Sequence, residues 1–273
     1  MKVVVMWSGG KDSYLAYQEV VSKGFEVLGL LNYTFKNADK KPTSRILGRL
    51  NHAFKNLSKA TRRKILNPFN HTNGSAAGNI PHEINPEIIA LQAQAMEIPI
   101  VQWEVTPRAF GDQLKTVIRK LEPSRVEGIV WGVEEGEEVD SHKDLLRQLC
   151  DEVSIKLVMP LRGMSEEQIL TYFMEKGCEA IITVVDSNFF GDEWLGRKID
   201  NTFLRELRRL SLERGIPSGC IEYHTLVIDA PLLKKRLNVL QSKKVSKNGY
   251  SVLDISQIEL AGKKQRSTKM KNS

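Results

Sequence analysis

Short apolar runs alternate with longer amphipathic segments along most of the chain. The first run, residues 2–7, is β-branched, apolar on both faces and followed closely by a Gly-Gly pair, which predicts a buried parallel strand. A helical pattern follows over residues 12–22 and ends at Gly24, and residues 25–35 form a second apolar run. The order predicts a β-α-β unit with a glycine loop at the carboxyl end of its first strand, the edge where open α/β sheets bind ligands.

The alternation resumes at Asn85 and Pro86, a capping residue followed by a proline suited to the first helical position. The pattern then predicts helix 85–96, strand 99–105, helix 110–121, strand 126–133, helix 141–152 and strand 155–159. Repeated β-α units of this kind favour a Rossmann-like, HUP-type α/β fold, in which a parallel sheet carries helices on both faces.

A second domain is predicted after a boundary at residues 160–163. Ser165 and Gln168 have the spacing of a capping box, which opens a helix that ends at Gly177. The remaining elements are predicted as strand 179–185, helix 199–214, strand 223–228 and strand 250–260. We therefore expect domains at 1–160 and 161–262, the second a smaller α/β domain, and a disordered basic tail at 263–273.

Positive charge is concentrated in two segments. The chain has a formal net charge of +7, yet residues 36–64 alone carry ten Lys or Arg and one acid, and the tail adds five Lys or Arg and no acid. Residues 36–79 interrupt the α/β pattern and read as an insertion or a mobile lid. Such runs either lie near nucleic acid, here tRNA or the ribosome, or are simply solvated.

Other features exclude several protein classes. No apolar run approaches the roughly 20 residues of a membrane helix, and the N-terminus lacks a signal peptide, so we expect a cytoplasmic protein without a membrane partner. Cys150, Cys178 and Cys220 are far apart and form no CxxC pair. The cysteines therefore predict neither a disulfide framework nor a zinc or iron–sulfur site.

The strongest chemical signal lies between the first strand and the first helix, in Ser8, Gly9, Gly10, Lys11, Asp12 and Ser13. Glycines let backbone N–H groups point into one concavity, and the helix adds its positive end, so the loop is suited to phosphate. Serine hydroxyls add hydrogen bonds, and Lys11 can offset charge that develops on a leaving group. A plain Gly-Gly turn is the alternative, and neither GxxxxGK[ST] nor GxGxxG is present.

The segment SGGKDS resembles the PP-loop of the ATP pyrophosphatase superfamily. The resemblance implies ATP binding by these six residues and cleavage to AMP and pyrophosphate through an adenylate, normally with Mg²⁺. Asp12 then organises either the metal or the loop, or it is only a favourable first-turn helix charge.

Several further segments resemble the diphthine–ammonia ligase family. They are PHEI at 81–84, LQAQA at 91–95, EGIVWG at 127–132, MPL at 159–161, WLGRKID at 194–200 and EYHTLVIDAPL at 222–232. The resemblance covers residues 1–35 and 80–240. It implies ligation of ammonia to the carboxylate of diphthine, a modified histidine of elongation factor 2, with ATP and Mg²⁺ as cofactors.

The resemblance also implies roles for individual residues. In the first domain it adds His82 and Gly132 to the ATP site, although His82 equally suits a hydrogen bond that anchors its loop. In the second domain it implies a substrate site of Gly196, Arg197, Glu222, Tyr223 and His224. Lys11, Asp12 and Glu222 are the implied catalytic residues.

Each charged member of the substrate site has a second interpretation. Glu222 binds the ammonium group of diphthine or positions ammonia, or it is a structural ion-pair partner. His224 precedes an apolar strand and has the setting of a packed histidine. Arg197 binds phosphate or carboxylate, or forms a salt bridge at the entry of a helix.

Two features keep other functions open. Residues 218–221 read Ser-Gly-Cys-Ile where the family carries a glycine-rich stretch with an additional glutamate, which favours a non-catalytic nucleotide-binding protein. The basic insertion and tail favour a PP-loop enzyme that modifies tRNA, but no RNA-binding module accompanies them.

Overall fold

A computed structural model of the chain describes residues 1–35, 84–105, 110–121, 125–132, 146–247 and 249–263. The first sheet consists of β1 (Lys2–Met6), β2 (Glu26–Phe35), β3 (Ile100–Val105), β4 (Gly128–Val130) and β5 (Lys156–Val158). Its order is β3-β2-β1-β4-β5, and all neighbours are parallel. The helices between these strands are α1 (Lys11–Ser22), α2 (Pro86–Met96), α3 (Phe110–Leu121) and α4, residues 146–152.

The central strand β1 shows why this sheet is covered on both faces. Val3 and Val5 belong to one apolar cluster together with buried residues of α1 and α2. Val4 and Met6 point the opposite way into a second cluster, with buried residues of α3 and α4. Since successive side chains of a strand alternate between faces, an all-apolar strand requires helices on both sides. The predicted fold class is confirmed.

The second sheet is antiparallel and has one strand more than expected. It contains β6 (Glu179–Asp186), β7 (Tyr223–Asp229), β8 (Arg236–Lys247) and β9 (Tyr250–Ala261) in the order β7-β6-β9-β8. Two helices, α5 (Glu166–Glu175) and α6 (Asn201–Arg214), pack with it, and 3₁₀ turns lie at Asp192–Trp194 and Ser218–Cys220. Strand β8 was not predicted, because it is an edge strand with few apolar residues and a largely exposed second half.

Local signals in the sequence set several helix starts. The Ser165 hydroxyl and the Gln168 side chain form the predicted capping box of α5. Asn85 caps α2 by accepting a hydrogen bond from the Glu87 N–H group. Helix α6 begins at Asn201 rather than at the predicted Ile199, because the Asp200 carboxylate accepts the N–H groups of Thr202 and Phe203 and so fixes the N-terminus there.

The two sheets share one continuous apolar cluster, which runs from β1 and α1 to α6 and β7. Leu161, within the predicted boundary segment, is fully buried in this cluster. The predicted insertion at 36–79, His82 and residues 264–273 of the tail lie outside the described residues. Within the described ranges, no helix is both long and apolar enough to cross a bilayer.

Candidate functional site

The glycine loop follows β1 and opens α1, as the sequence predicts. Gly9 has a φ of +83°, in the left-handed region that favours glycine. A Cβ atom on Gly9 would lie 2.5 Å from Ile89 Cδ1 and 2.7 Å from Gln92 Oε1. Both the backbone angle and the close approach of α2 therefore require glycine at this position.

The two serines of the loop bond to each other and to the loop backbone. The Ser8 hydroxyl donates to Ser13 Oγ at 3.2 Å and accepts the Gly10 N–H group at 3.4 Å. Ser13 Oγ in turn donates to the Gly10 carbonyl at 3.0 Å. The hydroxyls are thus gathered at the N-terminus of α1, where the helix dipole favours a bound anion.

A buried glutamine fixes the loop from the side of α2. Gln92 is fully buried, and its Nε2 group donates to the carbonyls of Gly9 at 2.9 Å and Val227 at 2.7 Å. Its Oε1 atom accepts the Trp7 indole N–H at 3.0 Å. One amide therefore joins the residue that follows β1, the loop and strand β7 of the second sheet. Gln92 was not among the predicted site residues. A polar residue at a core position of a helix is the sequence signal that could have indicated it.

Strand β7 contacts the loop directly. The Lys11 N–H group donates to Thr225 Oγ1 at 3.0 Å, and the Val227 N–H group donates to the Gly9 carbonyl at 2.9 Å. The first N–H groups of a helix have no partner within the helix. In α1 the N–H group of Lys11 has a protein acceptor, Thr225 Oγ1. The N–H groups of Asp12 and Ser13 have no such acceptor among the described residues. Sequence reasoning missed the role of Thr225, although it lies within EYHTLVIDAPL.

The Lys11 side chain lies in a buried charge cluster. Its Nζ atom is 2.9 Å from Asp12 Oδ2 and 3.1 Å from Glu166 Oε1, and the exposed fractions of the Lys11 and Glu166 side chains are 6% and 2%. The Tyr223 hydroxyl donates to the same Glu166 oxygen, and Lys11 Nζ lies 5.1 Å from the centroid of the Tyr223 ring. The cluster thus joins α1, α5 and β7, and Glu166 was not among the predicted site residues.

The pKa of Asp12 departs clearly from its usual value. Burial raises the pKa of its carboxyl group, and the Glu166 carboxylate adds to the rise, whereas Lys11 and His224 oppose it. Its side chain remains 30% exposed. No group of three or more His, Cys, Asp or Glu residues within the described ranges is placed to hold a metal ion.

A second polar group surrounds Glu222 at the start of β7. Its Oε1 atom lies 3.4 Å from His224 Nε2, and its Oε2 atom accepts the Tyr250 hydroxyl at 2.5 Å. Glu222, Tyr223 and His224 therefore lie beside the Lys11 cluster, since Tyr223 belongs to that cluster and His224 acts electrostatically on Asp12. Tyr250 of β9 was not predicted as part of this group.

Of the other predicted residues, Gly132 lies near the glycine loop, whereas Gly196 and Arg197 lie away from it. Gly132 lies against the first turn of α1, since a Cβ atom on it would be 2.4 Å from the Asp12 carbonyl oxygen. Gly196 and Arg197 pair with Ile182 of β6, on the side away from β7. The Arg197 guanidinium stacks on the Trp194 ring at 4.0 Å. The structure thus brings the loop, Gly132 and residues 222–224 together but not Arg197.

Comparison with known proteins shows that two parts of the chain match domain models of one family. Residues 54–157 match the model of the diphthamide synthase N-terminal domain, and residues 165–260 match that of the C-terminal domain. The second match includes Glu166 and the whole of β7, whereas the glycine loop precedes the first. No curated protein sequence matches the chain.

One similar solved structure is described as a predicted subunit of tRNA methyltransferase from Methanocaldococcus jannaschii. It is 14% identical, with a TM-score of 0.38, and the alignment covers 84% of this chain and 97% of that one. A similarity at this level has no bearing on function. The two domain models together cover most of the chain, and the chain belongs to the diphthamide synthase family, that of diphthine–ammonia ligase.

Proposed function

We propose that the chain is an ATP-dependent ligase that joins ammonia to the carboxylate of diphthine on elongation factor 2, with ATP converted to AMP and pyrophosphate. The observation that carries the proposal is the bonding of β7 to the glycine loop through Thr225 and Val227. Because β7 begins directly after Glu222, this bonding brings the glycine loop and residues 222–224, the proposed nucleotide and substrate residues, side by side. Diphthine belongs to a translation factor, so we place the activity in the cytoplasm.

The proposed chemistry has two steps. A diphthine carboxylate oxygen attacks the α-phosphorus of ATP, and the bond from that phosphorus to the bridging oxygen of the β-phosphate breaks, which releases pyrophosphate. Ammonia then attacks the activated carbonyl carbon, the bond to AMP breaks, and the nitrogen loses a proton. Adenylation is needed because a carboxylate is a poor electrophile, whereas AMP is a good leaving group.

The loop residues bind the phosphates in this proposal. The N–H groups of Asp12 and Ser13 and the hydroxyls of Ser8 and Ser13 converge at the N-terminus of α1, where fixed dipoles stabilise developing negative charge without reorganisation. Gly9, Gly10 and Gly132 allow α2, β7 and the first turn of α1 to pack closely around the loop. Lys11 offsets the charge of the departing pyrophosphate after its ammonium group leaves a carboxylate partner and contacts a phosphate oxygen instead.

Mg²⁺ is the proposed metal. It is commonly held by one or two carboxylates together with the phosphates of the substrate. Asp12 supplies such a carboxylate at the mouth of the loop, with part of its side chain exposed. Bound there, the ion would neutralise phosphate charge.

The second site suits a cation. The carboxylates of Asp12 and Glu166 contact the ammonium group of Lys11, and Glu222 lies beside this cluster, next to His224. A carboxylate at the start of β7 attracts a cation such as the ammonium group of diphthine. We assign Glu222, Tyr223 and His224 to that end of the substrate. Gly196 and Arg197, beyond β6, would contact a part of the factor further from the reacting carboxylate.

The test is pyrophosphate release from ATP and ammonium in the presence of diphthine-bearing elongation factor 2, of bulk tRNA, or of neither. We expect release with the factor alone. A Lys11→Ala variant should lower this rate at least 100-fold, since removal of one electrostatic contact to a transition state has an effect of about this size. Lys23→Ala, at the exposed far end of α1, is the matched control and should retain full activity.

Other outcomes would change the assignment. Release with tRNA alone would replace the ligase by a tRNA-modifying enzyme. ATP binding without release under any condition would indicate a non-catalytic nucleotide-binding protein. Full activity of the Lys11→Ala variant would contradict the role of the loop lysine.

A further inference from the structure

Glu166 is a charged residue in an unusually buried position. It is the first residue of α5, which the Ser165–Gln168 capping box fixes, and its side chain is 2% exposed. A carboxylate at a helix N-terminus is favoured by the helix dipole. Helix α5 therefore holds the negative charge of the Glu166 side chain against Lys11 of the glycine loop.

The contacts of Lys11 show what this charge does. A lysine ammonium group has three N–H donors. Three carboxylate oxygens lie within 3.1 Å of Lys11 Nζ: both of Asp12 and Oε1 of Glu166. A phosphate oxygen therefore has to compete with carboxylates from two helices for the N–H groups of Lys11.

The two carboxylates do not compete equally with phosphate. The Asp12 side chain is more exposed than that of Glu166, 30% against 2%, so water screens its attraction for Lys11 more strongly. Charge pairs interact more strongly where water is excluded. Glu166 is also the partner that contacts Lys11 from another helix, so its hold does not depend on the conformation of α1 alone.

We infer that Glu166 is a positioning residue that holds the Lys11 ammonium group away from the nucleotide phosphates until bound triphosphate displaces it. The Tyr223 hydroxyl weakens the attraction between Glu166 and Lys11, because it donates a hydrogen bond to the Glu166 oxygen that faces Lys11 and partly offsets the negative charge of that oxygen. The inference rests on the proposed binding of ATP at the loop. It goes beyond that proposal by making the affinity for triphosphate depend on a residue of α5.

The test measures binding, not turnover. Isothermal titration calorimetry with α,β-methylene-ATP and Mg²⁺, and separately with AMP, compares the wild type with Glu166→Gln. We expect the variant to bind the triphosphate about tenfold more tightly, the scale of one hydrogen bond to a charged group. Its affinity for AMP should be unchanged, since AMP lacks the β- and γ-phosphates that Lys11 contacts in this proposal.

The chain offers a matched control and a variant of opposite sign. Glu167 is the next residue of α5 and pairs with Arg208 at 2.6 Å, so Glu167→Gln removes the same charge without touching Lys11 and should leave both affinities unchanged. Tyr223→Phe keeps the ring near Lys11 but removes the hydroxyl. It should weaken triphosphate binding about threefold, a fraction of a neutral hydrogen bond's contribution.

The results separate this inference from the proposed function. Equal triphosphate affinities of Glu166→Gln and Glu167→Gln, or weaker binding by Glu166→Gln, would overturn the positioning role alone. Absence of triphosphate binding in the wild type and every variant would overturn the ATP site and this inference with it. If Glu166→Gln does not fold, as judged by thermal unfolding, Tyr223→Phe decides, and unchanged or tighter binding by that variant would overturn the inference.

Discussion

Replacement of Gln92 by leucine tests whether a single buried amide holds the glycine loop in place. Leucine has nearly the volume of glutamine, so Gln92→Leu removes three hydrogen bonds without opening a large cavity. Gln92 is fully buried, and its partners are Trp7 directly after β1, Gly9 of the loop and Val227 of β7. The substitution therefore removes the contact common to all three.

The expected cost follows from what happens to each partner. The Trp7 indole N–H is left in a buried site without its acceptor, which costs about 1–3 kcal/mol. The Gly9 carbonyl keeps its bond from the Val227 N–H group at 2.9 Å, so the two lost Nε2 bonds cost about 1 kcal/mol each. A total of about 3–5 kcal/mol is a large share of the roughly 5–15 kcal/mol that stabilises an ordinary domain.

The assay is chemical denaturation, followed by tryptophan fluorescence and by circular dichroism. Gln94→Leu is the matched control, because Gln94 is an exposed residue of the same helix. We expect the free energy of unfolding to fall by about 3–5 kcal/mol for Gln92→Leu and by less than about 0.5 kcal/mol for Gln94→Leu. Equal effects of the two substitutions would refute the claim that the Gln92 amide stabilises the loop.

Two further predictions concern the start of α1. Gly132→Ala should lower the affinity for the ATP analogue at least tenfold, because its Cβ atom would lie 2.4 Å from the Asp12 carbonyl and displace the first turn; Gly262→Ala, whose Cβ meets nothing within 4 Å, should have no effect in the same titration, and equal affinities would count against the close packing. Burial raises the pKa of Asp12 above 3.8, so the folded state binds a proton more readily than the unfolded chain, and wild-type stability should fall as pH rises from about 3.8 through the raised pKa. The Asp12→Asn variant should lack this fall, so its denaturation midpoint should rise relative to that of the wild type as the pH increases over that range. A difference between the two midpoints that does not change with pH would contradict a raised pKa of Asp12.

Local signals in the sequence were sufficient for much of the fold. The run of apolar residues in β1 requires helices on both faces of the sheet, and the structure has them. The Ser165–Gln168 capping box and the Asn85 cap are bonds between residues two or three positions apart, so the side chains that form them are readable from the sequence. Strand β8 was missed because its pattern is weak, although the Asn-Gly pair before β9 is the signal of a hairpin.

The candidate site divides in the same way. The sequence by itself determined the glycine loop, its place at the end of β1 and the family motifs, because each depends on residues that are adjacent in the chain. Only the tertiary structure decided that Gln92 and Thr225 fix the loop and that Glu166 and Tyr223 surround Lys11, since these partners are tens to hundreds of positions away. Such pairs form only when α2, α5 and β7 pack around the loop, and the geometry of that packing comes from the shared apolar core as a whole.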